Sequence, residues 1–131
     1  MKAEKAVFAL LSLSSGISAI VGQRVFLIAA AEETPAPLLV FRKTSAQRST
    51  QISAGTRLVS AQIEVLCIAT TGQELLELAE QVRSALLDQS GTFGGTEVIV
   101  VRDADEGPQE YEPTLREFAQ TWTFTLDFEE E

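Results

Sequence analysis

The amino-acid sequence predicts an α+β fold: a mostly antiparallel sheet, two helices packed on one face, and a long projecting β-hairpin. Three observations lead there. Residues 118–128 alternate strictly, with Phe118, Gln120, Trp122, Phe124, Leu126 and Phe128 on one side. Ala119, Thr121, Thr123, Thr125 and Asp127 fall on the other, the pattern of an antiparallel strand with one covered face. Residues 72–89 carry an apolar stripe of Leu75, Leu78, Ala79, Val82 and Leu86, with Glu77, Glu80, Arg83 and Asp88 opposite, which is an amphipathic helix. Strand-like residues 38–43 and 59–69 flank a polar, basic stretch over 44–57, and the simplest connection is a hairpin whose tip lies beyond the core. With 131 residues, 45% of them hydrophobic, the chain can bury one core without disulfides or metals. Residues 1–131 are expected to form a single domain.

The remaining elements follow in order. Ala6, Val7, Leu10 and Leu11 have helical spacing, which predicts a helix over 3–14 that stops at Ser15-Gly16. Residues 17–21 add a short helical turn before Gly22. Residues 24–28 read as a brief strand, and the prolines at 35 and 37 make 32–37 a loop. On the strand over 59–69, Val59, Ala61, Ile63, Val65 and Cys67 share a face. Thr71 with Glu74 forms a capping box for the helix that follows. Gly91, Gly94 and Gly95 are read as a turn from helix to strand. A strand is expected over 97–103, a turn-rich acidic segment over 105–113, and an acidic tail over 129–131.

The net charge of −9 is unevenly distributed. Residues 97–131 hold eleven acids against two bases, the entire net charge, while residues 1–96 balance. Between Thr34 and Ile63 stand Arg42, Lys43, Arg48 and Arg57 and no acid. Such asymmetry marks solvated faces or electrostatic docking. The acidity opposes nonspecific nucleic-acid binding. The apolar run at 6–11 followed by Ser15–Ala19 imitates a signal peptide, but Glu4 interrupts its basic start and the run is short, so secretion is not expected. No segment reaches the ~18 apolar residues of a membrane span.

The search for chemistry finds no catalytic, cofactor or metal site. The chain has no histidine and one cysteine, which removes the commonest general base and any internal disulfide. No Gly-x-Ser-x-Gly elbow occurs, and residues 91–95 lack the lysine of a phosphate-binding loop. Residues 103–107 carry acids and a glycine, but Thr114 stands where a calcium loop needs glutamate. Cys67 is expected buried and inert, and Trp122 belongs to the core face.

A sequence of short phrases carries a resemblance across nearly the whole chain. It runs from Ala6–Leu11, through Ile20-Val21-Gly22-Gln23-Arg24-Val25-Phe26 and the proline-flanked Leu38–Phe41, to Ala61–Val65. It continues in the helix Leu75–Leu86 and the alternating Ala119–Leu126. This order resembles the tail-completion, or tail-to-head joining, family of long-tailed bacteriophages. The resemblance implies a non-enzymatic structural protein without cofactors. It implies a hexameric homo-oligomer that caps the tail tube, meets a head connector or stopper protein, and lets DNA pass without specific binding. It further implies no membrane partner and a place in the tail or neck of a virion assembled in the host cytoplasm. Arg42, Lys43, Arg48 and Arg57 are the candidate assembly residues. The length of the 44–57 hairpin and the acidic C-terminus have no counterpart in the resemblance. A non-enzymatic ligand-binding or adaptor domain of the same α+β layout is the alternative.

Overall fold

The structure, a computed structural model, describes residues 2–31, 33–53 and 55–130. Glu32, Ala54 and Glu131, which belong to the expected loop, hairpin and tail, lie outside the described residues. Among the described residues nine elements follow in order: α1 (Lys2–Leu13), α2 (Ser15–Val21), β1 (Val25–Leu27), β2 (Leu38–Ser53), β3 (Thr56–Ala69), α3 (Gly72–Leu86), β4 (Gly91–Phe93), β5 (Thr96–Glu112) and β6 (Glu117–Glu130). The fold is α+β, with three helices and a six-stranded, mostly antiparallel sheet in the order β1-β2-β3-β6-β5-β4. β1 runs parallel to its neighbour β2, and the other strand pairs among the described residues are antiparallel.

Local chemistry sets the boundaries. Ser14 ends α1 and caps α2, its hydroxyl accepting from the Ile17 N–H at 3.2 Å, so the expected short turn is a helix of its own. Gly22 closes α2 at φ 62°, a conformation that costs glycine little. Arg24 then ties β1 to the start of β2: its Nε donates to the Pro37 carbonyl at 2.8 Å, and its own carbonyl accepts from Leu39 N–H at 2.9 Å. At α3 the Thr71 hydroxyl accepts from Glu74 N–H at 3.0 Å. The Glu74 carboxylate accepts from the Thr70 N–H at 2.9 Å, one residue upstream of the expected capping box.

The predicted facing of β3 and β6 holds. Val59 pairs with Phe128, Ala61 with Leu126, Ile63 with Phe124 and Val65 with Trp122. All eight are buried in one cluster with Leu75, Leu78, Val82 and Leu86 of α3 and Val7, Leu10 and Leu11 of α1. Cys67 is wholly buried, and desolvation pushes its thiol up to about 12, which suits an inert core residue.

Three expectations need correction. The acidic segment 105–113 is strand as far as Glu112, because β5 continues alongside β6 through three register shifts. Each shift inserts unpaired residues into the ladder, and Gly107 and Pro108 sit in the last of them. Residues 91–95 are a hairpin rather than a helix-to-strand turn. Phe93 pairs with Thr96, and Gly94 and Gly95 both have positive φ, the conformation a tight two-residue loop requires. Glu129 and Glu130, expected in a tail, extend β6 and pair with Leu58 and Arg57.

Candidate assembly surfaces

The four predicted assembly residues lie along β2 and at the start of β3. Arg42, Lys43 and Arg48 stand on β2 and Arg57 on β3, next to β6 through its pairing with Glu130. Among the described residues, Arg42, Lys43 and Arg48 have carboxylate partners inside the chain. Arg42 contacts Glu64 at 2.9 Å and Lys43 reaches Glu4 at 4.0 Å. Arg48 donates its Nε to Glu130 at 2.9 Å, joining residues 82 positions apart. No local sequence pattern links these cations to their acids: the register of the sheet brings Arg42 to Glu64 and Arg48 to Glu130, and the packing of α1 on the sheet brings Glu4 to Lys43.

Electrostatics follows from those partners. The hydrogen bond from Arg48 holds the Glu130 carboxyl below its ordinary value and, with the opposite charge, raises the guanidinium. On the same sheet, partial burial alone would raise Asp127. Hydrogen bonds from Arg102 at 2.8 Å and the Ser60 hydroxyl at 2.6 Å outweigh it, and the carboxyl sits below 3.8.

The acids of β5 lie at the opposite side of the sheet. Asp103, Asp105, Glu106, Glu110 and Glu112 are all exposed. Two apolar features accompany this charge pattern. Phe8, 48% exposed, lines an open hollow of about 410 Å³ with Ala9, Leu27, Phe41 and Gly94. At the far end of β5, Tyr111 packs on Phe118 with ring centroids 4.7 Å apart, and Leu115 in the following turn is 67% exposed.

Among the described residues no group of three or more metal-ligating side chains converges. Among the described residues no single helix is long and apolar enough to cross a membrane. The bent pair α1–α2 reaches that length only across an 81° break, and its Val7, Leu11, Ile17 and Val21 are buried in the core.

Comparison with known proteins gives the family. In fold, the chain resembles a chain from the virion of a native gene transfer agent particle. The TM-score is 0.65 at 14% identity, over 95% of this chain and 92% of that one. No curated protein sequence matches. Residues 5–114 match the model of the tail completion protein gp17 family. That match runs from α1 through the turn after β5, most of the chain, and the protein belongs to the bacteriophage tail completion protein gp17 family.

Proposed function

We propose that this chain acts, without catalysis, as a ring component that caps the tail tube and offers the joining surface to the head connector or stopper. The family match over residues 5–114 carries this reading. A neighbour of similar fold in a gene transfer agent virion supports a place in the tail or neck of a particle assembled in the host cytoplasm. Residues 1–131 act as one domain, and the ring is a hexamer. In this arrangement the helices cover one sheet face and the β2–β3 tip projects from the subunit with its basic residues. The other face, rich in Gln62, Thr121, Thr123 and Thr125, fronts the channel. Arg42 and Arg102 on this face are paired with Glu64 and Asp127, so its cations leave passing DNA unheld. Arg42, Lys43, Arg48 and Arg57 serve contacts between subunits or to neighbouring virion proteins.

Native mass measurement and negative-stain imaging test the ring. A closed six-membered species, alone or on particles, is expected. A chain that stays monomeric both at high concentration and within particles rules the ring out. The hollow beside Phe8 favours a second reading, a ligand-binding domain, because its volume of about 410 Å³ lies within the range of small-molecule sites, roughly 300–1,000 Å³. Thermal-shift screening with apolar ligands, compared with a Phe8→Ser variant, decides that alternative.

A further inference from the structure

Two long strands lack a strand neighbour on one side. β1 covers β2 only from Leu39 to Phe41, so among the described residues no strand pairs with the outer side of β2 from Arg42 to Ser53. β4 covers β5 only as far as Val98, and backbone bonds from Asp88 and to Gln89 cover Val101. From Arg102 to Glu112 the outer side of β5 is likewise without a partner strand among the described residues. Such edges template further pairing unless they are blocked.

The two edges match in length, direction and charge. The open part of β2 lies against nine residues of β3, Thr56–Glu64, and the open part of β5 against nine of β6, Glu117–Thr125. β2, β3, β6 and β5 alternate in direction, so β5 of one copy meets β2 of the next antiparallel when both copies point the same way. The β2 edge carries Arg42, Lys43 and Arg48 with no acid, whereas β5 from 102 to 112 carries five acids and one base. Pairing β2 with β2, or β5 with β5, sets like charges together. Only the head-to-tail combination is favourable, and head-to-tail contacts generate rings.

We infer that adjacent subunits join edge to edge, β5 of one copy on β2 of the next, in a single register, resting on the ring reading above. Arg42 shares a sheet row with Glu64, Thr123 and Asp105, while Glu112 lies opposite Glu117, six rows from Thr123. Full overlap of the two edges therefore needs a slide of six rows per copy. At ~3.4 Å per row this is about 20 Å, across a four-strand unit about 19 Å wide, which tilts the strands by about 45°. Closed barrels adopt tilts of roughly 35–45°. The slide sets Arg42 opposite Glu112 and Arg48 opposite Glu106. Pro108, which cannot donate to a ladder, falls in the bulge between Glu106 and Gln109, where pairing is already interrupted. The in-chain partners of Arg42 and Arg48 do not oppose this, because both guanidiniums are about half exposed, at 56% and 46%, and can share a second carboxylate.

Paired cysteines test the register. In the Arg42→Cys/Glu112→Cys chain the two thiols are about 25 Å apart within one subunit by the same spacings, far beyond disulfide reach. Oxidation of rings or of assembled particles is therefore expected to give a covalent ladder ending at the ring size. Arg48→Cys/Glu106→Cys should behave alike, and the same-row pair Arg42→Cys/Asp105→Cys should not. A ladder from the same-row pair overturns the six-row register. Rings of normal native mass with no ladder from any pair, including rings closed by another face or virion protein, overturn edge pairing and leave the ring reading standing. A chain that stays monomeric in solution and in particles overturns both.

Discussion

Gln120 is a buried polar side chain within the aromatic face of β6, and it acts on β5. Its amide Nε2 donates to the Gly107 carbonyl at 2.9 Å and to the Glu106 carboxylate at 3.1 Å, fixing the last bulge. At Gly107 a Cβ would stand 2.5 Å from the Thr121 carbonyl oxygen, where backbone cannot yield. Gly107→Ala should cost about 1–3 kcal/mol through forced displacement of the strand. Gln120→Leu should cost about 1 kcal/mol, because lost hydrogen bonds are offset by apolar burial. Equilibrium urea denaturation checks both, and a neutral Gly107→Ala would mean that the strands do not approach so closely. Asp127 gives a pH signature. Its folded carboxyl is held below 3.8, so the unfolded chain binds more protons as the pH falls past that value. The stability it contributes is complete above pH ~4 and disappears as pH drops through the depressed folded value. Wild type should therefore exceed Asp127→Asn in stability at pH 6, and the two should converge as the pH falls through the depressed folded value. A constant difference across that window would mean that the Arg102 and Ser60 bonds do not act on its ionisation.

β6 was legible in the sequence because nothing interrupts its period of two, and α3 because its cap and stripe agree. β5 was legible only as far as Asp103. Beyond it, register shifts at Arg102/Asp105 and Glu106/Gln109 destroy the alternation that marks a strand. The acids, Gly107 and Pro108 then have the composition of a loop. The Gly94-Gly95 hairpin was missed for a related reason: its strands hold three residues or so on the β4 side, too few to show a period. Gly94 also has a packing role, since a Cβ there would lie 2.6 Å from the Lys5 carbonyl oxygen of α1. At the level of elements the decisive contact is β6 against α3. Phe124 is 1% exposed, pairs across from Ile63 and lies in the cluster with Leu78 and Val82. Phe124→Ala should cost about 3–5 kcal/mol, a large share of the ~5–15 kcal/mol that holds a domain folded. An unchanged melting temperature would place the core elsewhere.

For the whole molecule, the charge imbalance was legible as composition, but not its geometry. Glu64 and Glu130 lie 22 and 82 residues from the arginines they meet, and no local pattern links such positions. The sheet order sets a basic edge at β2 and an acidic one at β5, at opposite sides of the four long strands. Exposed ion pairs add little to folding but steer association and select the partner. Subunit association should therefore slow as ionic strength rises. Arg48 allows its in-chain and between-chain roles to be separated. Reversing Arg48 and Arg57 to glutamate should leave circular dichroism and melting nearly unchanged while assembly fails. The exchange Arg48→Glu with Glu130→Arg then keeps an ion pair between β2 and β6 but reverses the charge at the β2 edge. If Arg48 serves a neighbour, the exchanged chain folds as wild type and still fails to complete tails. Adding Glu106→Arg, which restores opposite charges across the subunit boundary, should recover assembly. Full assembly by the exchanged chain alone would show that Arg48 is needed only to hold the end of its own sheet.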